Sequence, residues 1–304
     1  MLTVSNYHYI RNQFETKYPS IFGVSPSEFK QQLMLLKQQG SFISPIDLVN
    51  NVDEILNSKA NNLLITFDDG LREQFDHALP ILNELKIEAL FFVNSRNFEE
   101  KKVSTVHKIH LLRSIISTRE FLVKLNNAVN FYFPFEEKKR AENIYIYDDE
   151  KSAWLKYILN FKLNFREQET IIDGLFNNYF DEEEVLKSLY MSEQNIIDLA
   201  KKGCLGSHTH SHYPLGLLDS EGIKFELSNS KLFLEKVTNC KIDILSYPYG
   251  TSESSTDIVV DSAKADGYKI GFTTKRGINT SAEEHLLLNR FDCNDLIGGK
   301  NYLK

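Results

Sequence analysis

The segment Leu63–Gly70, which reads Leu-Leu-Ile-Thr-Phe-Asp-Asp-Gly, restricts the fold of this chain more than any other stretch. An apolar run of β-branched and aromatic residues that ends in two carboxylates and a glycine is typical of a buried strand leading into a site. The next stretch, Leu71–Leu85, has apolar residues at helical spacing. A strand, an acidic turn and a helix predict the βα unit of a parallel α/β fold, where chemistry gathers at the carboxyl ends of strands.

Strands and helices alternate on both sides of this segment. We predict a first strand at Leu2–Ile10, and the all-apolar Ala89–Val93 is typical of a parallel strand covered on both faces. The last strand is predicted across Leu286–Asp292. About six to eight strands alternate with helices, which favours a (β/α) barrel over an open sheet, although the pattern alone leaves closure open.

The predicted alternation of strands and helices stops between residues 96 and 190. We predict that residues 1–95 and 191–304 form one barrel domain and that residues 96–190 are a mostly helical insertion with a small aromatic core. The insertion contains His107 and His110, whose spacing puts both on one helix face. They either contribute to a substrate cleft or belong to an ordinary helix surface, and we favour the second interpretation.

Composition and termini exclude several classes of protein. The formal net charge of −7 argues against a general nucleic-acid binder. Three widely spaced cysteines without a C-x-x-C pair, Cys204, Cys240 and Cys293, indicate a reducing compartment. Neither a signal peptide nor an apolar run long enough for a membrane span is visible, so we expect a cytoplasmic protein. The sequence does not reveal an oligomeric state.

The pair Asp68 and Asp69 indicates a nearby cation, because two neighbouring carboxylates in a pocket repel each other. In the simpler alternative, one aspartate caps the following helix and the other is solvated.

A second polar cluster, Ser-His-Thr-His-Ser-His, follows the predicted strand Cys204–Gly206. If the segment turns helically, His208 and His212 project from one face. With Asp69 they would make a His₂Asp set with open positions, as expected of a catalytic metal. We expect His210 to point elsewhere and Cys204 to be a packed thiol. A loop that binds no metal is the alternative.

A metal would give the two aspartates separate roles. Asp69 would bind the cation, and Asp68 would take a proton from water at that cation, whose pKa the metal lowers. A hydroxide formed in this way attacks a carbonyl carbon, so the residues predict hydrolysis of an acyl group.

Three segments, in this order, resemble the signature motifs of the polysaccharide deacetylases of the NodB-homology type (carbohydrate esterase family 4). They are Thr66-Phe67-Asp68-Asp69-Gly70, His208-Thr209-x-x-His212 and Tyr247-Pro248-Tyr249-Gly250. Tyr7-His8-Tyr9 and Phe91-Phe92-Val93 are similar to flanking segments of that family, and the resemblance covers residues 1–95 and 191–295. From its aromatic neighbours alone, His8 is interpreted as a hydrogen-bonded core residue.

The resemblance implies a distorted (β/α) barrel that removes acetyl groups from N-acetylated sugars with the help of a divalent metal. Asp68 would be the general base, and Asp69, His208 and His212 would bind the metal. Zn²⁺ is the expected ion, with Co²⁺, Ni²⁺ or Fe²⁺ as alternatives. The partner would be a carbohydrate with an N-acetylated sugar, in a glycan or a glycan precursor.

The same resemblance assigns supporting roles to the loops. Thr209 would steady the histidine loop, Tyr247 and Pro248 would shape the third motif, and Tyr249 would offer its backbone N–H to the oxyanion. Such a donor stabilises charge that exists only in the transition state.

Two departures from the family pattern affect the predicted chemistry. The arginine that normally orients the base is replaced by Ser246, and we hypothesise that Arg290 supplies the cation from another strand. The Leu-x-His segment that normally carries the general acid is absent, which leaves His285, either insertion histidine or no side chain as the acid.

Two other functions are alternatives to a deacetylase. A carbohydrate-binding relative could keep the metal site and lack turnover because its acid and its arginine are missing. An Fe(II) oxygenase also uses two histidines and a carboxylate, but it has no need for Asp68 and its usual fold is all-β.

Overall fold

The computed structural model of this chain describes residues 1–12, 16–18, 21–129, 132–146 and 148–302. These residues form two compact units. The first unit consists of Met1–Gln13, Gly23–Lys102 and Leu186–Lys304. The second unit consists of Phe14–Phe22 and Val103–Val185.

The second unit is smaller than the predicted insertion of residues 96–190 at both of its ends, and it gains residues 14–22. Residues 96–102 stay with the first unit because Phe98 is buried in its core and the Arg96 N–H donates to the His210 carbonyl. Tyr190 also stays there, since it pairs with Leu71. The assignment of catalysis to the first unit stays a prediction.

The first unit is built around one parallel sheet, which confirms the predicted fold class. Its strand order is β7-β6-β5-β4-β3-β1-β8, and β2 pairs with β3 beside this path. The strands are β1 (Leu2–Tyr7), β2 (Ser41–Phe42), β3 (Asn62–Phe67), β4 (Ala89–Val93), β5 (Leu205–Ser207), β6 (Ile244–Ser246), β7 (Ile270–Phe272) and β8 (Phe291–Asp292).

Thirteen α-helices lie within the described residues, and none of those residues forms a helix long and apolar enough to cross a membrane. The helices are α1 (Pro26–Lys37), α2 (Pro45–Asn57), α3 (Leu79–Leu85), α4 (Arg96–Glu99), α5 (Thr105–Ile115), α6 (Thr118–Val129), α7 (Phe135–Ile144), α8 (Glu150–Tyr157), α9 (Phe165–Phe176), α10 (Glu182–Leu189), α11 (Glu193–Lys201), α12 (Ser220–Thr238) and α13 (Asp257–Ala265). Two π-helical turns (Gln74–Ala78, Ile158–Lys162) and three 3₁₀ turns (Leu215–Leu217, His285–Leu287, Cys293–Asp295) complete them.

The segment that ends in β8 connects the two ends of the curled sheet. Leu288 exchanges backbone hydrogen bonds with the region of β7, donating to Gly271 and accepting from Thr273, both at 2.8 Å. A few residues later, Phe291 pairs with Ser5 of β1. The sheet therefore curls into the distorted (β/α) barrel that the sequence predicted.

Alternate strand residues point into the barrel, because side chains on a strand have a period of two. The barrel interior below the carboxyl ends of the strands is apolar and includes Val4, Leu64, Phe92, Ile244 and Phe272. Helix α2 contributes further leucines and isoleucine to this cluster. The odd-numbered residues of β3 and β4 face the outer helices and form the larger core.

The predicted last strand begins later than expected. Leu286 and Leu287 belong to the 3₁₀ turn His285–Leu287, and the strand is Phe291–Asp292. Leu286 and Leu287 pack in the outer core and Leu288 packs in the barrel interior, so the turn divides consecutive leucines between two clusters. The apolar run is therefore not the pattern of one strand.

The second unit has a helical core of its own. Its buried residues come from α5, α6, α8, α9 and the π turn Ile158–Lys162. Lys108 is buried and forms ion pairs with Asp173 at 2.6 Å and Glu182 at 2.7 Å. His107 is also buried, so the interpretation of this face as ordinary helix surface is wrong for it, whereas His110 is half-buried.

Gly70, which follows β3, offers a test of how tightly β3 and β4 are packed. It has φ +63°, and an added Cβ would lie 2.7 Å from Val93 Cγ1. We expect Gly70→Ala to lower the free energy of unfolding by roughly 2–4 kcal/mol, from left-handed strain and overpacking together. Urea denaturation measures this loss.

Gly267→Ala is the matched control, because Gly267 has φ +82° and open space around the added Cβ. It should cost only about 1–2 kcal/mol, the strain alone. Equal losses at the two positions would contradict the packing argument.

Candidate active site

Three potential metal ligands converge at the carboxyl ends of β3 and β5. Asp69, His208 and His212 each offer one ligand atom, and these atoms lie within 4.8 Å of one another. The His208 Nε2 lies 3.5 Å and the His212 Nε2 3.3 Å from the Asp69 Oδ1. The structure thus brings together the three residues that the sequence predicted as a set.

Nδ1 of His208, the ring nitrogen that faces away from Asp69, has a hydrogen-bond partner of its own. Nδ1 lies 2.8 Å from the Ser246 carbonyl oxygen, which only accepts, so Nδ1 carries the proton and Nε2 keeps its lone pair. Burial lowers the pKa of His208 to about 4, against the opposing attraction of Asp68, so the ring is neutral at neutral pH. A metal-binding histidine needs both properties.

His212 has the opposite shift. Burial is the largest single influence and disfavours the charged ring, but the hydrogen bond to Asp69 and the charge of that carboxylate together outweigh it and raise the pKa of His212 above its ordinary value. The carboxylate thus attracts positive charge to the space between the two imidazoles. A bound cation would take the place of the proton that the raised pKa of His212 favours on its ring.

The backbone is strained where these side chains leave it. Of seven described non-glycine residues with positive φ, four belong to this site: Asp69 (77°), Thr209 (63°), His212 (64°) and Tyr249 (63°). Left-handed backbone costs a non-glycine residue about 1–2 kcal/mol, and such strain concentrates at functional sites.

The donor set fits a divalent transition metal. Two neutral imidazole nitrogens and one carboxylate oxygen, leaving further positions open, are the usual ligands of a catalytic zinc ion. The fixed His208 tautomer supports this assignment independently of the spacing of the residues. The ligands do not discriminate among Zn²⁺, Co²⁺, Ni²⁺ and Fe²⁺.

Asp68 forms a two-pronged ion pair with Arg290. Both guanidinium NH groups donate to its carboxylate at 2.8 Å, and both side chains are buried. Burial alone raises the pKa of Asp68, but Arg290 and, to a lesser degree, His208 and His8 outweigh it and hold that pKa well below its usual range. The carboxylate is therefore charged and oriented, as a base must be.

Two other residues support this ion pair, and the sequence analysis gave neither of them this role. The Asn6 amide donates to Asp68 Oδ2 at 3.0 Å, and the Ser246 hydroxyl accepts from Arg290 at 2.9 Å. Asn6 follows Val4 by two positions and Ser246 follows Ile244 by two, so both face the barrel interior. Strand alternation is the signal that would have found them.

The third-motif loop lies beside the histidines. The Tyr249 ring is half-exposed and its centroid is 5.3 Å from that of His212. Its carbonyl accepts from the Thr274 hydroxyl at 2.7 Å, while the Tyr247 N–H donates to Phe272 at 3.0 Å. Pro248 is buried between the two tyrosines, so the loop is held at both ends.

The histidine loop is fixed by the residues after β4. The Asn94 amide donates to the His208 carbonyl, and the Ser95 N–H donates to the Thr209 carbonyl at 3.2 Å. The His210 ring lies 2.8 Å from the Ser95 hydroxyl and 3.1 Å from a Glu100 carboxylate oxygen. His210 is thus engaged on both ring nitrogens by groups outside the Asp-His-His set.

Cys204 is buried in the outer core, and burial raises the pKa of its thiol to about 11. It is therefore protonated at neutral pH, in agreement with a packed thiol.

The acid candidates fall in different places. His285 pairs with Asp53 of α2 at 3.3 Å, and His107 and His110 face each other within the second unit. His8, interpreted from the sequence as a hydrogen-bonded core residue, is only half-buried just after β1, close enough to Asp68 to contribute to the lowering of that carboxyl's pKa. Its aromatic neighbours are typical of a core, so the sequence pattern does not predict this half-buried position.

A family model described as polysaccharide deacetylase matches residues 56–117 and 171–271, more than half of the chain. The chain belongs to this family. YxkH of Bacillus subtilis (strain 168), a protein named for the same family, is 26% identical over 139 residues, which are 40% of this chain and 49% of that protein. The chain thus matches about half the length of this curated relative.

Solved structures of deacetylases share the fold of this family member. IcaB from Ammonifex degensii has a TM-score of 0.58 at 19% identity, with 96% of this chain and 91% of that chain covered. The Streptococcus pyogenes deacetylase PplD, in complex with acetate, has a TM-score of 0.56 at 19% identity, with the same shares covered. A de-N-acetylase from Aggregatibacter actinomycetemcomitans has a TM-score of 0.55 at 15% identity over 96% and 95%.

The donor set predicts one metal site per chain. Metal-free protein dialysed against Zn²⁺ should retain about one ion, and His208→Ala or His212→Ala should abolish retention by removing one of three ligands. Elemental analysis gives the stoichiometry. His285→Ala, a half-exposed histidine beside Asp53, is the control and should retain the ion. Undiminished zinc in both ligand variants would refute the site.

The buried ion pair predicts a large loss of stability when only its cation is removed. Arg290→Met leaves the Asp68 charge buried without compensation, so we expect a loss of about 3–5 kcal/mol in metal-free denaturant unfolding. Adding Asp68→Asn should restore part of it, since the buried charge disappears.

Lys30→Met is the comparison, because Lys30 pairs with Glu84 at 2.7 Å on the surface. It should cost less than about 1 kcal/mol. Strictly additive losses for the Asp68 and Arg290 changes would show that the ion pair is not what stabilises the charges.

Proposed function

We propose that this chain is a metal-dependent hydrolase that removes N-acetyl groups from an amino sugar of a glycan or a glycan precursor. The observation that carries the proposal is the buried Asp68 carboxylate, held charged by Arg290 directly beside the Asp69-His208-His212 donor set. Membership of the polysaccharide deacetylase family supplies the substrate class.

Asp69, His208 and His212 would hold the metal. When bound, the ion supplies a Lewis acid that polarises the amide carbonyl and lowers the pKa of water. Asp68 then acts as the general base and takes the proton of the attacking water on a carboxylate oxygen. Arg290 and Asn6 keep that carboxylate in a single orientation.

The developing oxyanion needs a donor that is in place before the reaction. The backbone N–H of Tyr249 is our candidate, because the loop is fixed by the hydrogen bonds of Tyr247 and Thr274. A preorganised donor stabilises the tetrahedral transition state without reorganisation.

The amine that leaves must be protonated, and we assign this step to His8. It is half-buried just after β1, which pairs with β3 in the sheet, and it lies near enough to Asp68 to influence the pKa of that carboxyl. His285, the C-terminal candidate, lies instead beside Asp53. Asp68 and His8 would then serve as base and acid at one carboxyl edge of the sheet.

The alternatives lose support. The binding-only relative rested partly on a missing arginine, and Arg290 fills that role by its contact with Asp68. The oxygenase alternative requires an all-β double-stranded helix, whereas the sheet here is parallel and joined through helices.

Acetate release from N-acetylated amino-sugar oligomers of several linkages tests the proposal. The Zn²⁺- or Co²⁺-loaded protein should release acetate, and a chelator should stop it. Asp68→Asn should lower kcat by about 10²–10⁴, the usual contribution of a general base, while metal binding is retained. Enzymatic detection of acetate gives the rate.

His8→Asn should lower kcat by a similar factor, about 10²–10⁴, and His285→Asn should leave it unchanged. The reverse result would return the acid role to His285. If the fully metal-loaded protein released no acetate from any of the oligomers, the proposed activity would be refuted.

A further inference from the structure

Gln74 is a completely buried side chain that none of the steps above uses. Its amide Nε2 donates to two backbone carbonyls, that of Asp68 at 2.6 Å and that of His8 at 3.0 Å. These carbonyls belong to the residues that we assign as base and acid. One side chain therefore joins the backbones of both.

The two carbonyls need such a partner because strand pairing ends just before them. The last backbone hydrogen bond between β1 and β3 is donated by Asp68 N–H to the Tyr7 carbonyl at 3.1 Å. A buried carbonyl without a partner costs free energy. Gln74 supplies the hydrogen bonds that the sheet no longer makes.

A π-helical turn begins at this residue. The turn spans Gln74–Ala78, where the sequence analysis predicted continuous α-helix. Pro80 follows near the start of α3, and proline lacks the N–H for an α-helical bond and clashes with the carbonyl four residues earlier. The wider turn accommodates this proline, and π turns of this kind are frequent at functional sites.

The preceding residue acts on the same segment. Glu73 accepts from the Ile10 N–H at 2.6 Å and from the Arg11 side chain at 2.8 Å. Glu73 and Gln74, at the start of the π turn, thus hold residues 8–11, the segment that follows β1. The position of His8 depends on this turn as well as on its own strand.

The carbonyl oxygen of the Gln74 side chain shows which of its hydrogen bonds favour glutamine at this position. Its Oε1 is buried and has no hydrogen-bond partner among the described residues. An apolar side chain would avoid that cost, so the two donated hydrogen bonds are what favours glutamine here.

We propose that Gln74 is a positioning residue that sets the distance between the general base Asp68 and the general acid His8. We call the two hydrogen bonds from Gln74 to the Asp68 and His8 carbonyls the clamp. The catalytic consequence of the clamp rests on the proposed function, but the clamp itself is a contact to the backbone. A displacement of about 1 Å between reacting groups can lower a rate about a hundredfold.

Gln74→Met tests the proposal, since methionine keeps the volume and removes both donors. We expect kcat for acetate release to fall about tenfold to a hundredfold, with unchanged KM and metal affinity. Amide hydrogen exchange of the 8–11 segment should become faster, in a readout that needs no activity.

Gln32→Met is the matched control. Gln32 is also buried and donates to two backbone carbonyls, of Cys293 at 2.7 Å and Ile297 at 3.1 Å, neither of which belongs to the acid or the base. Its Oε1 accepts from the Tyr7 hydroxyl at 2.6 Å, so this variant also removes a contact to the side chain next to His8. It should lower stability at least as much as Gln74→Met does, because three hydrogen bonds are lost rather than two, while kcat and exchange of the 8–11 segment stay at wild-type values. This separates positioning from a general structural loss.

The outcomes distinguish the two hypotheses. Faster exchange of the 8–11 segment in Gln74→Met together with an inactive wild type would support the clamp and refute the deacetylase. An active wild type with undiminished kcat in Gln74→Met would overturn the positioning role. Equal losses of kcat in the Gln74 and Gln32 variants would also overturn it.

Discussion

The buried ion pair of Asp68 and Arg290 is the interaction on which the site depends. Removing two charges from water costs several kcal/mol per ion, and this cost is offset only when the remaining donors and acceptors are satisfied. Arg290 also donates to the Thr273 carbonyl at 2.9 Å and to Ser246 Oγ at 2.9 Å. Because these partners come from different strands, the ion pair requires a correctly curled sheet.

The apolar interior below the ion pair explains why the chemistry lies at one edge of the sheet. Phe92 and Phe272 lie beneath Arg290, each with its ring centroid 6.0 Å from the guanidinium carbon. Water is excluded from this side, so the field of the guanidinium acts on Asp68 with little screening. The same layer that completes the core thus favours the charged form of Asp68, the residue that we propose as the base.

Local patterns predicted much of the fold and part of the site. The βα alternation gave the parallel sheet, and His208 and His212 after one strand with Asp69 after another gave the donor set. Patterns failed where residues far apart in sequence decide the outcome. The leucines before β8 look like a strand but divide between two cores, and a π turn interrupts the predicted α-helix ahead of Pro80.

The sequence by itself determined the fold class, which follows from periodicity, and the family resemblance, which follows from three short motifs. It also gave the candidate donor residues, because carboxylate and imidazole side chains follow predicted strands. The sequence offered Arg290 as the cation for Asp68 only as a hypothesis, and the tertiary structure shows that contact. Only the tertiary structure decided which carbonyl fixes the His208 tautomer and which amide joins the ends of β1 and β3. Each of these contacts joins residues from separate strands or helices, and their distances exist only once the sheet has curled.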